Sequence, residues 1–220
     1  MNERVESPSV ASARAAEAVG QLDPSLREAG KHRHPLFGEV LSRVGSSFGG
    51  KWRLDQLLGL GGMAAVYAAT HRNGHRVAIK VLHPRHEGDK RVRERFRREA
   101  IVSNRVHHPG AVTVFDDEVG DEGSAFLVME LLEGESLERR LGRVGRVPLA
   151  EALALTDALL EVLTVAHDAG VLHRDLKPGN VFLTHEGQVK LLDFGVARLE
   201  ALAERRGRTR LGAILGTPAF

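Results

Sequence analysis

The sequence predicts an α+β chain in two lobes, an antiparallel sheet with one helix followed by a mainly helical part. Three observations predict it. Strand-like runs crowd the region from Trp52 to Leu82. One helical pattern, "DKRVRERFRREAIVSNRV", interrupts the strands. A long amphipathic run, "LAEALALTDALLEVLTVAHDAG", opens the part that follows.

Residues 1 to about 48 are rich in Ala, Ser, Arg and Glu and poor in large apolar residues, so they read as a flexible tail. The composition changes at Trp52. Trp52 and Leu54 alternate with Arg53 and Asp55, the period of a half-buried strand. Val66 and Tyr67 belong to a second strand and "VAIKVL" to a third. Asn73-Gly74 between them signals a hairpin, because the favoured type I′ turn needs positive φ. Val92, Phe96, Glu99 and Val102 then recur at helical spacing. Strands are expected at "AVTVFDDE" and "SAFLVMEL". In the long helix, Leu153, Leu160, Leu163 and His167 share part of one face, and Gly170 is placed to end it.

The formal net charge is +2, from 31 basic and 29 acidic residues, so no global charge argues for nucleic acid. The chain has no cysteine, which excludes a disulfide scaffold, a thiolate metal site and a cysteine nucleophile. No stretch approaches the ~20 apolar residues that cross a membrane. The N-terminus has no apolar core of signal-peptide length. A cytoplasmic protein is expected.

"LGLGGMAAVY" carries Gly59 and Gly61 in the first two places of a G-x-G-x-x-G phosphate loop, with Ala64 in the sixth. A P-loop would end in Gly-Lys-Ser/Thr, which is absent. A dinucleotide fold would need a helix directly after the loop, where a hairpin follows instead. The third reading is a glycine loop bent over a nucleotide between two strands, with small residues admitting the phosphates to the backbone. It calls for a lysine on the next strand and an acidic partner on the following helix. Lys80 in "VAIK" and Glu99 in "RFRREA" supply them.

Further along stand "HRDLKPGN", His173 to Asn180, and "DFG", Asp193 to Gly195. With these five motifs in order, the sequence resembles the protein kinase superfamily over about Lys51 to Phe220. The "GGM…VY.A", "RF.REA" and "AH..G..HRDLKP.N" phrasing resembles the bacterial serine/threonine kinases of eukaryotic type.

The resemblance implies a bilobal protein kinase-like fold, with a small lobe over 49–132 and part of a large lobe over 133–220. It implies transfer of the ATP γ-phosphoryl group to Ser/Thr hydroxyls of protein substrates. Lys80 would hold the α- and β-phosphates, oriented by Glu99. Asp175 would take or orient the hydroxyl proton, and Lys177 would steady the γ-phosphate. Asn180 and Asp193 are hard oxygen ligands suited to Mg²⁺. Adenine would lie between Val66 and Ala78 on one side and Phe182 on the other. Met129 would be the gatekeeper, and Glu130 and Leu132 would offer backbone groups. Phe194 would pack inward.

After "DFG", Thr209 is the candidate autophosphorylation site, with Arg174 to receive the phosphate, and Thr217 would bond the catalytic Asp and Lys. Kinases of this kind continue with an A-P-E segment and further helices beyond the point where this sequence stops. An incomplete large lobe is therefore expected, with the apolar face of the 149–169 helix uncovered and prone to self-association. The alternative is a non-catalytic module that binds nucleotide or a partner.

Overall fold

In the computed structural model, which describes residues 36–120 and 123–194, the alternation after Lys51 becomes a real two-faced sheet. Strands β1 (Ser47–Phe48), β2 (Trp52–Leu60), β3 (Ala64–His71), β4 (Arg76–Leu82), β5 (Val114–Val119) and β6 (Ala125–Met129) line up in the order β1-β2-β3-β4-β6-β5. The paired neighbours β1 to β4, and β4 with β6, are antiparallel. Leu54, Tyr67, Ile79 and Phe126 are all fully buried on one face. Burying each such side chain stabilises by about 1.5–3 kcal/mol.

The β3–β4 turn differs from the expected type I′ form. His71 N–H bonds His75 O at 2.8 Å and Gly74 N–H bonds His71 O at 2.8 Å, which closes a three-residue loop. Only Gly74 has positive φ, at 89°, so the loop is a type I turn followed by a left-handed glycine. The Asn73 carboxamide accepts the His75 N–H at 3.0 Å instead of sitting in a left-handed conformation itself.

Residues 36–48, expected as part of the tail, are folded. Helix α1 (Phe37–Ser42) lays Val40 and Leu41, 3% and 5% exposed, on the sheet core. Leu36, Phe37 and Val44 pack beside them. The buried Tyr67 hydroxyl donates to Val40 O at 2.9 Å, and burial pushes its pKa above the ordinary value. The physical reason is a short apolar cluster, "PLFGEVLSRV", that covers a sheet face which would otherwise meet water. Residues 1–35 lie outside the described residues.

The chain separates into two compact units, residues 1–90 with 116–131, and residues 91–115 with 132–220. In the second, helix α2 (Lys90–Ser103) buries Phe96, Ala100 and Ser103 and keeps most of its basic side chains outward. Asn104 follows and exchanges two hydrogen bonds with the Val114 backbone, 2.6 and 3.0 Å. Strand β7 (Gly134–Ser136) leads into α3 (Leu137–Val144), capped by the Ser136 hydroxyl, which accepts Arg139 N–H at 3.2 Å. Strands β8 (Val181–Thr184) and β9 (Val189–Leu191) complete a three-stranded sheet with β7.

Helix α4 (Leu149–Asp168) ends as predicted at Gly170, φ 73°. Gly170 N–H bonds His167 O at 2.9 Å and Val171 N–H bonds Ala166 O at 2.8 Å, a Schellman motif. Part of its apolar face is uncovered, as expected. Val162 and Ala166 are buried beside Leu159 and Leu163, whereas Leu153 and Leu160 are 61% and 55% exposed and His167 is exposed. The loop before β5 selects that face: a Cβ on Gly110 would lie 2.3 Å from Val162 Cγ2, so only glycine admits the helix there. No helix among the described residues is long and apolar enough to cross a membrane.

Candidate active site

The first unit holds the glycine loop. It is the β2–β3 turn, closed by Gly61 N–H to Ala64 O at 2.9 Å. None of Gly59, Gly61 and Gly62 has positive φ. A Cβ on Gly62 would meet nothing within 4 Å, and on Gly59 only Val66 Cβ at 3.9 Å. The chain's own backbone and packing therefore do not require these glycines. Their smallness keeps space open above an exposed turn, which suits close approach of an external group to backbone N–H. Ala64 differs: it is the first residue of β3, 5% exposed and opposite Leu82. The sixth place of the pattern is thus a packed strand position, where a methyl fits.

Strand alternation sorts the other candidates of this unit. Val77, Ile79 and Val81 of β4 face the core under α1, so Ala78 and Lys80 face the other way. Val66 pairs with Lys80, Lys80 with Leu127, and Ala78 with Met129. Directly opposed residues share a face. Val66, Ala78, Lys80 and Met129 therefore lie together on the face away from α1. Lys80 is 7% exposed, a buried cation. Glu130, just past β6, is half-buried.

The second unit holds Glu99, half-buried on α2, Leu132, and Phe182, half-buried on β8 opposite Ser136 and Lys190. It also brings four of the predicted residues into one segment. The Schellman turn delivers Val171 into the core, and an irregular stretch from His173 to Lys177, left-handed at Arg174, follows it. Lys177 Nζ lies 2.9 Å from Asp175 Oδ2. Asn180 Nδ2 donates to Asp175 O at 2.8 Å and to Asp175 Oδ2 at 3.2 Å. Asn180 O accepts Leu192 N–H at 2.8 Å, which sets Asp193 one residue beyond that bond. Asp193 is exposed, and Phe194 is 1% exposed, packed inward as expected.

His173, quoted in the sequence only as the start of a motif, is the anchor of this segment. Its Nε2 bonds Leu192 O at 2.8 Å, so that nitrogen carries the proton, and Nδ1 faces Asp175 N–H at 3.4 Å. Its ring meets Phe194 at 5.2 Å. Burial lowers its pKa below the ordinary value, against the opposing pull of the Leu192 carbonyl and of Asp175 and Asp193. Two residues beside it, Arg174 and Asp193, have φ of 63° and 52°, the left-handed region. No sequence signal short of the whole motif marks a histidine for this role.

The donor set fits a hard divalent cation. Asn180 Nδ2 is committed to Asp175, which turns Oδ1 the other way, and Asp193 adds an exposed carboxylate. Mg²⁺ takes one or two such protein oxygens and completes its shell with phosphate and water. Gly195, Thr209 and Thr217 lie outside the described residues.

A family model described as the protein kinase domain matches residues 52–220. The serine/threonine-protein kinase PknA of Mycobacterium tuberculosis is 42% identical over 183 residues, covering 81% of this chain and 42% of that protein. Pkn2 of Myxococcus xanthus, also named a serine/threonine-protein kinase, is 43% identical over 176 residues, covering 78% of this chain and 21% of that protein. The chain thus spans less than half the length of these curated relatives. Among solved structures, the M. tuberculosis PknI kinase domain superposes with a TM-score of 0.59 at 32% identity, covering 71% of this chain and 67% of that one. PpkA-294 in its apo form reaches a TM-score of 0.64 at 24% identity, covering 74% of this chain and 65% of that one, a likeness of fold alone.

Proposed function

The chain belongs to the protein kinase family, with the bacterial serine/threonine kinases of eukaryotic type, and on that premise we propose that it transfers the ATP γ-phosphoryl group to Ser/Thr hydroxyls of protein substrates. The observation that carries this reading is the sharing of Asp175 Oδ2 between Lys177 Nζ at 2.9 Å and Asn180 Nδ2 at 3.2 Å. A carboxylate oriented from two sides can receive a proton at a fixed place, and a cation beside it can follow charge onto the transferred oxygens.

In this reading the substrate hydroxyl gives its proton to Asp175 as its oxygen bonds the γ-phosphorus. The bond from that phosphorus to the β,γ-bridging oxygen breaks, and ADP leaves with the electron pair. Lys177 offsets charge on the γ-phosphoryl oxygens. Lys80 holds the α- and β-phosphates with Glu99 as its partner, while the turn that Gly59, Gly61 and Ala64 keep small admits the phosphates to backbone N–H groups other than that of Gly61, which closes the turn. Val66, Ala78 and Phe182 take the adenine faces, Met129 stands behind it, and Glu130 and Leu132 meet its edge. Asn180 and Asp193 would hold Mg²⁺, which neutralises phosphate charge when bound.

The proposed division is a small lobe over 49–132 and a large-lobe part over 133–220. Thr209 is the proposed site of autophosphorylation, in a self-associated pair, and the ATP-supplied cytoplasm is the proposed location.

The test is phosphate transfer from ATP to a basic protein substrate by the purified chain, by Lys80→Met and by Asp175→Asn. Transfer that both substitutions abolish is expected. Equal transfer by Lys80→Met overturns the assignment, and nucleotide binding without any transfer favours the non-catalytic module.

A further inference from the structure

Glycine loops have few side chains to hold them, so their position depends on what binds their backbone. Here three successive carbonyls of the turn are held by one short segment. His83 Nε2 bonds Gly61 O at 2.8 Å. The Arg85 guanidinium donates to Gly62 O. The His83 N–H donates to Met63 O at 3.0 Å. A carbonyl only accepts, so His83 Nε2 carries a proton. His83 is 1% exposed, directly after β4, on which Lys80 sits.

The segment has a firm base. Pro84–His86 forms a 3-10 turn in which His86 N–H bonds His83 O at 2.9 Å and Glu87 N–H bonds Pro84 O at 3.0 Å. The buried Ser124 hydroxyl donates to the Glu87 carboxylate and fastens the turn to the start of β6. Neither His83 nor Arg85 belongs to the motifs read from the sequence.

We propose that His83, with Arg85, is a positioning residue that clamps the glycine loop by its carbonyls and so sets where its backbone N–H groups meet the nucleotide phosphates. The proposal rests on the nucleotide reading above. The clamp touches the loop only, so it acts on phosphate and not on adenine. Loss of one such hydrogen bond should weaken ATP roughly three- to tenfold.

The experiment is calorimetric titration of Mg-ATP and of adenosine into the full chain and into His83→Ala, His83→Gln and Arg85→Ala. Gln places an amide donor near the Nε2 position and should restore most ATP affinity lost in His83→Ala. Arg85 is exposed, so Arg85→Ala tests the same clamp without disturbing the core. ATP affinity lost in the alanine variants, with adenosine affinity kept and Gln rescuing, supports the clamp. Equal loss for both ligands, or no loss for either alanine variant, overturns it while leaving the nucleotide reading in place. Adenosine and ATP both failing to bind the unaltered chain overturns the nucleotide reading itself, and the clamp with it.

Discussion

Asn180 donates from one amide nitrogen to two oxygens of Asp175, its backbone carbonyl at 2.8 Å and its Oδ2 at 3.2 Å. The same side chain is thus both a brace for the proposed base and an oxygen for the proposed cation. Asn180→Ala should lower phosphate transfer and shift the Mg²⁺ dependence to higher concentration, by about 10–100-fold. A Mg²⁺ titration of transfer rate checks it. Unchanged Mg²⁺ dependence would remove Asn180 from the cation site.

His173 makes stability fall in mild acid. Burial holds its pKa below the ordinary 6.5, so the unfolded chain binds its proton first as pH drops. The contribution is therefore complete above pH 6.5 and is lost as pH falls toward the lowered folded value. Thermal melts between pH 8 and 5 should show this fall, and His173→Gln should flatten it. A melt equally steep in both chains would place the acid sensitivity elsewhere.

Tyr67→Phe tests whether residues 36–48 are part of the fold. The substitution leaves Val40 O without its buried donor, which costs about 1–3 kcal/mol. Lower denaturation midpoint and faster amide exchange across 36–48 are expected. Exchange confined to other regions would separate α1 from the sheet.

Ala64→Gly should change ATP affinity by less than tenfold, or about 1.4 kcal/mol. Ala64 is a buried strand residue opposite Leu82, so its methyl serves packing. The measurable effect should instead be on stability, a loss of roughly 0.5–1 kcal/mol. A nucleotide titration and a chemical melt of the same sample separate the two.

Much of this was legible because period and spacing carry it. The β2–β3 and β3–β4 hairpins, Lys80 on its strand, the α2 face with Phe96 and the stop at Gly170 all follow from local pattern. What escaped depends on partners distant in sequence. The uncovered side of α4 at Leu153 and Leu160 was expected, but the close approach of Gly110 to Val162 on its buried side was not visible in the helix's own pattern. Leu36 to Val44 is too short to show helical period, yet the sheet supplies the surface it covers. His83 and Arg85 matter through carbonyls, which leave no trace in a side-chain pattern.

The left-handed backbone at Arg174 and Asp193, φ 63° and 52°, has a consequence for anyone selecting variants of this protein. A non-glycine residue held there costs on the order of 1 kcal/mol or more, and glycine or asparagine would sit more easily. A library screened for heat resistance alone would thus be drawn to these two positions, relaxing the chain beside Asp175. Survivors of such a screen should be enriched in changes beside the proposed base, selected for the fold and against the proposed chemistry.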